Sequence, residues 1–520
     1  MTGVVSYDCN EEEQTDEIKK GKNMSMNLSK SRYTAGVLCP KALWLKEHKP
    51  EAFDESSLHQ AVLDTGNEVG NWAMGLFGAY TEVPFEQPLS RMITKTEELL
   101  QAGTPVLCEA SFSHKGLFCS VDILRNLGGK AVEVYEVKSS TELKDINVHD
   151  VAFQVYVLSE LGYEVRKACL VHLNRDYVRH GALDVTQLFK IKDLTATVRG
   201  MLDETGKKIA ELQQTLAQPE EPEREICQSC NKPYSCGFWK YCTRMLPENN
   251  VFCINGRYMK EPTKFKYYAK GLISFDDLLR SPDFKKLSDR VRIQLEEKPV
   301  INRSAISSFL DTLSFPLYFL DFETFQSAIP LYDGDSPYSE QIPFQYSLHY
   351  MENEDAEIRH REFLAVPGKD PRRETAERLC KDIPENVCVL AYNMQFEKTV
   401  IKNLAGRYPD LAEHLMHVHD NIRDLMTPFE KKDYYLPAMQ GSYSIKHVLP
   451  SLYPDDPGLD YSNLEGVHKG DEASAAFLSM GRLSPEEQQA LRGQLLKYCG
   501  LDTWAMVKVW MKLKESVQKV

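Results

Sequence analysis

The stretch that most constrains the fold runs from Pro316 to Phe325 and reads PLYFLDFETF. Its aliphatic and aromatic residues predict a buried strand, yet Asp321 and Glu323 interrupt the apolar run. Side chains two positions apart on a strand point to the same face, so these carboxylates are expected to lie side by side. Burying such a pair is costly unless a cation neutralises it. The sequence therefore predicts either a divalent-metal site or a strand end whose acids reach the solvent.

The length and composition limit the class of protein. A chain of 520 residues is too long for one hydrophobic core and predicts two or three domains. Its content of 42% hydrophobic and 27% charged residues is typical of a soluble globular protein, and no apolar run is long enough to predict a transmembrane helix. The net charge of −14 counts mildly against a nucleic-acid binder but leaves local basic patches open. We expect a cytoplasmic location, because the thirteen cysteines follow no apolar export signal.

Changes in pattern divide the chain into four segments. Residues 1–27 are polar and are expected to form a disordered extension. Residues 28–245 mix helical and strand patterns and end in a cysteine-rich segment, and residues 246–312 predict a helical connector. Residues 313–520 return to mixed strands and helices. This order predicts an α/β protein with two mixed-sheet domains joined by helices.

Four cysteines occur within sixteen residues near the end of the first domain, at Cys227, Cys230, Cys236 and Cys242. Thiolates clustered this tightly repel one another unless a cation neutralises them, so they predict a metal site. By themselves they are typical of an all-cysteine zinc site. Cys39, far upstream, offers a second interpretation, in which one early cysteine and three late ones hold an iron–sulfur cluster that joins the ends of the domain.

A second set of acidic residues lies within the first domain. Asp122 falls in an apolar, strand-like run, the turn NLGG follows, and Glu136 and Lys138 stand two apart on the next predicted strand. Asp122 and Glu136 offer hard oxygen ligands for a divalent metal, and Lys138 can position or deprotonate water. A helix over residues 148–162 and a strand over residues 167–174 are predicted next. The competing interpretation is a surface ion pair between Glu136 and Lys138 on an edge strand.

Residues 28–245 resemble the RecB-type, or PD-(D/E)XK, nucleases, and above all the iron–sulfur branch that includes the CRISPR-adaptation exonucleases and the AddB nuclease domain. The resemblance implies a restriction-endonuclease-like fold in which Asp122, Glu136 and Lys138 form the catalytic motif. It also implies that Gln154, in the segment FQVYVL, helps to hold the site and the substrate.

The same resemblance implies a 4Fe–4S cluster, with zinc as the alternative. The usual tail spacing of two and then five residues is met by Cys227, Cys230 and Cys236, and a second five-residue spacing joins Cys236 to Cys242. We favour Cys39, Cys230, Cys236 and Cys242 as the ligands and leave the role of Cys227 open.

Later segments support a metal at the opening strand. The segment AYNMQFE places Asn393 and Glu397 at a turn and at the start of a helix. Asp424 follows in an apolar context. Tyr498 and Asp502 are four apart on an amphipathic helix and therefore share a face.

This order of motifs, over about residues 315–515, resembles the DnaQ-like, or DEDD, exonucleases of the ribonuclease-H-like fold. The resemblance implies that Asp321, Glu323 and Asp502 bind Mg²⁺ or Mn²⁺ and that Tyr498 orients or activates water. Glu397 stands where that family has aspartate and becomes the fourth carboxylate. Bound metals of this kind clamp the attacking and leaving oxygens of a phosphodiester.

The whole chain resembles a bacterial family that fuses these two domains. The resemblance implies a metal-dependent nuclease with two active sites, a DNA exonuclease in preference to an RNA-processing enzyme. Two alternatives stay open: one active DEDD-type site beside a first domain that only binds nucleic acid, or a non-catalytic nucleic-acid-binding adaptor. Glu109, Asn393 and Asp424 are further candidate site residues. We expect no membrane partner; a helicase or other DNA-processing partner, and a role in repair, recombination or defence, are left open.

Overall fold

The protein is described here by a computed structural model that covers residues 28–57 and 60–518. The predicted disordered extension, residues 1–27, lies outside the described residues. Helices and strands alternate along the chain and form mixed sheets, which confirms the predicted α/β class.

The strands, in chain order, are β1 (Leu28–Ser29), β2 (Thr81–Glu82), β3 (Val106–His114), β4 (Leu117–Gly128), β5 (Ala131–Lys138), β6 (Glu164–Leu173), β7 (Phe189–Asp193), β8 (Val300–Ile301), β9 (Leu317–Phe325), β10 (Ile342–Met351), β11 (Arg359–Leu364), β12 (Cys388–Ala391), β13 (Ile422–Asp424) and β14 (Tyr434–Tyr435).

The α-helices are α1 (Lys30–Leu38), α2 (Pro40–His48), α3 (Gln60–Met74), α4 (Ser90–Gln101), α5 (Asp145–Glu160), α6 (Val185–Leu188), α7 (Thr195–Ala217), α8 (Trp239–Thr243), α9 (Glu261–Ala269), α10 (Phe275–Arg280), α11 (Asp289–Glu296), α12 (Arg303–Leu310), α13 (Arg372–Asp382), α14 (Gln395–Arg407), α15 (Ala412–Asp420), α16 (Thr427–Glu430), α17 (Ile445–Leu452), α18 (Gly470–Met480) and α19 (Pro485–Gln518).

The first sheet has the order β2-β3-β4-β5-β6-β7, with β1 beside β4. Strands β3, β4 and β5 form an antiparallel meander, and β6 returns parallel to β5 after the crossover helix α5. The apolar face of α5 is covered by α1 and α7, so the helix is buried along most of its length. The predicted turn, helix and strand of this region are confirmed. Strand β5 lies inside the sheet, and its side chains are therefore withdrawn from the solvent.

The second sheet has the order β11-β10-β9-β12-β13. Strand β10 runs antiparallel to both β9 and β11, whereas β12 runs parallel to β9 and β13 parallel to β12. The long helix α19 packs across β9 and β10, and α18 packs against β9. The predicted strand with two carboxylates is thus the central strand of this sheet, covered by the helices that end the chain.

Residues 246–312 are largely helical, and they are firmly joined to the second domain. Strand β8 pairs with β14, and Ile306 of α12 packs in the same hydrophobic cluster as Leu317 and Phe319. The Tyr258 hydroxyl donates a hydrogen bond of 2.6 Å to the carbonyl oxygen of Glu430. These contacts attach residues 246–312 to the domain that follows them.

The loop between β9 and β10 packs against the first domain. Ala328 and Ile329 lie in one buried cluster with Tyr177, which belongs to the first domain. The Arg179 guanidinium donates a hydrogen bond of 2.9 Å to the carbonyl oxygen of Pro330. The strand that carries Asp321 and Glu323 therefore continues directly into the interface between the two domains.

Candidate metal and active sites

Four carboxylates predicted at the second site converge on one buried region. Asp321 and Glu323 come from β9, Glu397 from the first turn of α14, and Asp502 from α19. Oxygens of Asp321 and Glu323 lie within 4.8 Å of each other and of the Cys499 sulfur. Glu323 is 7% exposed, so it does not lie at a solvent-facing strand end. The packing of α19 on β9 is what unites residues that lie 181 positions apart in the chain, from 321 to 502.

These carboxylates lack enough positive charge around them. Burial, and then repulsion from Asp502, raises the pKa of Glu323 to about 8. Burial also raises the pKa of Asp502 to about 6 and that of Glu397, beside Asp424, to about 8. Burial and the neighbouring acids raise the pKa of Asp321 well above its usual value. Buried carboxylates with raised pKa values tend to take up protons or to bind a cation.

One oxygen of this cluster has no hydrogen-bond partner. Glu397 is 2% exposed, and its Oε2 atom is buried without a donor. An unpaired buried carboxylate oxygen is unfavourable, and a divalent cation relieves it. The donor set of four carboxylates therefore fits Mg²⁺ or Mn²⁺, which prefer oxygen ligands.

Asn393 and Asp424 shape the turn that presents Glu397. The Asp424 carboxylate accepts hydrogen bonds of 3.0 Å from the backbone N–H groups of Asn393 and Met426. Asn393 adopts a φ of 74°, in the left-handed region that asparagine tolerates better than most residues. Both candidates thus hold the backbone between β12 and α14.

Tyr498 is buried in the cluster, and burial followed by repulsion from Asp502 raises its pKa far above the usual value. It is therefore held as a neutral phenol that can donate a hydrogen bond. Tyr461, which the sequence motifs did not identify, donates a hydrogen bond of 2.6 Å to Asp502 Oδ1. Lys446 was also missed, and its charge lowers the pKa values of Asp321, Glu323 and Asp502 against the effect of burial. Tyr461 and Lys446 stand at no regular spacing from the motif residues, so no local signal in the sequence identifies them. Cys499, in contrast, lies between Tyr498 and Asp502 of one motif.

The first candidate site is a compact network of hydrogen bonds around Glu136. The Lys138 ammonium donates to Glu136 Oε1 at 2.6 Å and to Asp150 Oδ2 at 2.5 Å. Gln154 Nε2 donates to Glu136 Oε2 at 2.7 Å. Glu136 is 2% exposed on an inner strand, so the interpretation of Glu136 and Lys138 as a surface ion pair is wrong.

A second ammonium group enters this site from the start of α1. Lys30 Nζ lies 2.9 Å from Glu136 Oε2 and 3.4 Å from Asp122 Oδ1. The short strand β1 and the start of α1 fix the backbone of Lys30 beside β4. Lys30 was missed because nothing in its local sequence distinguishes it. Asp150 was missed too, although a buried acid within an apolar helix was a visible signal.

Lys30 and Lys138 give this first site a charge balance that differs from that of the second acidic cluster. Burial alone raises the pKa of Glu136, but Lys138 and Lys30 outweigh it and hold that pKa well below its usual range. Burial and then Glu136 raise the pKa of Asp150 to about 7. Glu109, on β3 with a φ of 55°, has a pKa raised to about 7 by burial and then Asp122. Oxygen ligands for a metal are present, but Lys30 already neutralises part of their charge.

The cysteine segment packs against the start of the first domain. Cys39 ends α1 and begins α2, and its thiol accepts a hydrogen bond of 3.4 Å from the backbone N–H of Ala42. Cys236 and Cys242 pack on a small cluster around Trp44 of α2. The backbone N–H of Asp54 donates a hydrogen bond of 2.8 Å to the carbonyl oxygen of Gly237. The structure therefore brings Cys39 to the late cysteines.

The thiols of this segment influence one another electrostatically. Burial is the main reason why the pKa values of Cys230, Cys236 and Cys242 are raised. The nearby Cys39 thiol raises all three further. The Cys227 sulfur instead lies 3.1 Å from the Ser229 hydroxyl. Its pKa is lowered, because hydrogen bonds from Ser229 and the nearby Arg224 outweigh burial. Cys227 nevertheless stays close to the other thiols, because it contributes more than Cys39 to raising the pKa of Cys230.

Cys39→Ala tests whether the early cysteine is a ligand. We expect anaerobically purified protein to be brown, with broad absorption near ~400 nm, and the substituted protein to lose most of that absorption and melt earlier. A local zinc site built from the four late cysteines would leave stoichiometric zinc and an unchanged melting temperature in the substituted protein. Cys253→Ala, which removes an exposed cysteine of the connector, is the matched control.

The fold and the sites define a mixed α/β protein with two buried acidic clusters on separate sheets. Residues 318–444 match the family model described as Domain of unknown function (DUF2779). The matched range contains Asp321, Glu323 and Glu397, and it ends before Tyr498 and Asp502.

One curated relative is the Uncharacterized protein MG366 homolog of Mycoplasma pneumoniae (strain ATCC 29342 / M129 / Subtype 1). It is 25% identical over 252 residues, which cover 45% of this chain and 37% of that protein. The chain therefore spans little more than a third of the length of this relative. No helix within residues 28–57 and 60–518 combines the length and apolar character needed to cross a bilayer.

Proposed function

We propose that the protein is a metal-dependent nuclease with two active sites, acting on DNA in preference to RNA. The observation that carries the proposal is the second acidic cluster, in which Glu323 and Glu397 are buried with raised pKa values and Glu397 Oε2 has no donor. A protein retains such an unfavourable group of charges where a cation is to be bound. Hydrolysis of a phosphodiester is the reaction that paired, carboxylate-bound metals serve best.

The topology of each sheet supports the proposal. An antiparallel meander followed by a crossover helix and a parallel strand is the core expected for a PD-(D/E)XK domain. A central strand with an antiparallel hairpin on one side and two parallel strands on the other is the order expected for a ribonuclease-H-like domain. In both sheets the acids lie on inner strands next to a packed helix. These topologies support the proposal that the two sheets belong to the domains that the sequence resembles.

At the second site, Asp321, Glu323, Glu397 and Asp502 would hold Mg²⁺ or Mn²⁺. When bound, the metal supplies stabilisation of the negative charge that develops on the attacking and leaving oxygens. Tyr498 donates its phenolic proton as a hydrogen bond and orients water at the mouth of the cluster. Tyr461 keeps Asp502 in position through its 2.6 Å hydrogen bond.

At the first site, Asp122 and Glu136 would be the metal ligands. Lys138 is held as an ammonium, because Glu136 and Asp150 outweigh burial and raise its pKa, so it would position water by donating a hydrogen bond and would not deprotonate it. Gln154 holds the Glu136 carboxylate from the opposite side. Near the end of the same domain, Cys39, Cys230, Cys236 and Cys242 would hold a 4Fe–4S cluster, with zinc as the alternative. The cluster supplies a structural cross-link between the first and last segments of the domain.

A second candidate function has one active site only. It is favoured by the position of Lys30, whose ammonium lies between Glu136 and Asp122 where a metal would bind. In that case the first domain binds nucleic acid, and the second domain alone cleaves it.

The test is incubation of the full-length protein with end-labelled single- and double-stranded DNA and RNA, with Mg²⁺ or Mn²⁺. We expect metal-dependent cleavage of DNA that falls when either acidic cluster is substituted. Cleavage that depends on the second cluster alone would favour the one-site function. Absence of metal-dependent cleavage of every substrate, together with no effect of Mn²⁺ on melting, would contradict the proposal.

The stability of the metal-free protein is expected to depend on pH. The folded-state pKa values of Glu323 and Glu397, about 8, exceed the ordinary value of 4.5. Their contribution to stability is therefore fully present below about pH 4.5 and is lost as the pH rises through about 8. We expect the melting temperature in EDTA to fall by about 5 °C between about pH 5.5 and pH 8.5 from this cause.

Over the same pH range, stabilisation by Mn²⁺ is expected to increase, because the metal competes with the bound protons. The double substitution Glu323→Gln and Glu397→Gln is the control, since it removes the titrating groups and keeps their shape. A pH dependence that is the same in this control and in the unmodified protein would assign the effect to other groups.

A further inference from the structure

The first turn of α17 places one exposed cation beside the second acidic cluster. Lys446 follows Ile445, the first residue of that helix, and its side chain is exposed, whereas Glu323 and Glu397 are buried. This position belongs to none of the motifs that supply the four carboxylates. It lies just beyond residue 444, where the match to the domain family ends.

Two tyrosines and one carbonyl group hold the Lys446 ammonium in place. Its Nζ lies 5.4 Å from the ring centre of Tyr461 and 5.7 Å from that of Tyr498. It also donates a hydrogen bond of 3.3 Å to the carbonyl oxygen of His468. Both rings belong to residues that face Asp502, so the ammonium stands over the same group of side chains that the proposed function uses.

The ammonium acts on the cluster from a distance. Its charge lowers the pKa values of Asp321, Glu323 and Asp502. Within the described part of the chain, the bond to His468 is the hydrogen bond that Lys446 Nζ makes, and no ion pair holds it. An ammonium has three N–H donors, so two remain for a ligand.

We propose that Lys446 binds a phosphate oxygen of the nucleic-acid strand that enters the second site. The inference rests on the proposed function and adds the residue that admits the substrate. A phosphate group approaching four carboxylates is repelled, and a cation at the entrance offsets that repulsion. An ammonium binds phosphate as a point charge and does not depend on the base, so the contact positions any sequence. Tyr461 and Tyr498 limit the freedom of the side chain and keep its charge at the entrance.

The experiment measures binding and cleavage separately in the full-length protein. Lys446→Ala, Lys446→Arg and the control Lys402→Ala are compared, the last removing an equally charged, exposed lysine on α14. Binding of a fluorescent single-stranded oligonucleotide is followed by anisotropy between about 50 and 200 mM salt, in Ca²⁺ to slow cleavage. Cleavage is then measured in Mn²⁺ to obtain kcat and KM.

For Lys446→Ala we expect binding about tenfold weaker and a salt dependence reduced by roughly 0.7 in log Kd per log salt, the value for one phosphate contact on a single strand. KM should rise with a smaller change in kcat, Lys446→Arg should recover most of the affinity, and Lys402→Ala should resemble the unmodified protein. Equal binding and equal salt dependence in Lys446→Ala and Lys402→Ala would overturn the inference. If the unmodified protein cleaved DNA in that case, the proposed function would still stand. Absence of cleavage would count against the function, while the binding result would still decide the role of Lys446.

Discussion

The double substitution Asp321→Ala and Glu323→Ala is expected to reduce cleavage by the second site about 10³-fold. A metal held by these carboxylates would contribute several kcal/mol to transition-state stabilisation, and each 1.4 kcal/mol changes a rate about tenfold. Stabilisation by Mn²⁺ should disappear together with the activity. In the unmodified protein that stabilisation is expected to be about 2.7 kcal/mol at a hundredfold excess over the dissociation constant.

The same substitution should leave the protein folded, because it deletes two buried charges that repel each other and Asp502. Thermal melting with and without Mn²⁺ is the measurement. Glu352→Ala with Asp355→Ala is the matched control, since it removes two exposed acids from the hairpin between β10 and β11 of the same domain. An unmodified protein whose melting ignores Mn²⁺ would contradict the metal site.

Removing the Lys138 amine is expected to have the second largest effect. In a protein that already carries the double substitution at the second site, only the first site can cleave. There, Lys138→Met should reduce the remaining cleavage by about 10²- to 10⁴-fold, the range associated with a positioned acid–base group. Binding of DNA should change little, because Lys138 is only partly exposed and its ammonium is already paired with Glu136 and Asp150.

Loss of this amine also leaves buried carboxylates without a partner, so a second variant is needed. Lys138→Arg keeps a positive charge for Glu136 and Asp150, but its planar guanidinium cannot place a donor where the compact ammonium does, so it should be folded and strongly impaired at the first site. Lys167→Met is the control, because that lysine pairs with Glu133 at 3.5 Å and is half exposed. Full activity of Lys138→Arg would show that the lysine serves only as a counter-ion.

Local periodicity made the secondary structure around both sites predictable. The turn NLGG separates β4 from β5, and the apolar pattern that follows β5 forms α5. Both were predictable because the hydrophobic period of a strand or a helix can be recognised within a short segment of sequence. The same reasoning placed Asp321 and Glu323 on β9 with their carboxylates side by side. Where a site is built from residues two or four apart, one segment of sequence is enough to find it.

Groups that reach a site from elsewhere in the fold could not be found in this way. Lys30 meets Glu136 across 106 residues, and Tyr461 meets Asp502 across 41. Their positions depend on how α1 packs beside β4 and how the segment before α18 lies over α19, and neither is encoded in a local pattern. The sequence therefore predicted the acids but not the cations and phenols that set their charge.

The loop that leaves β9 and packs against the first domain would influence the length of the products of a nuclease with two active sites. Packing of Ala328 and Ile329 with Tyr177 makes the separation of the two acidic clusters a property of the fold rather than of a loose tether. A nucleic-acid strand long enough to occupy both clusters would be held at two points a constant distance apart. The protein would then act as a ruler, and cleavage at both points would release fragments of one preferred size.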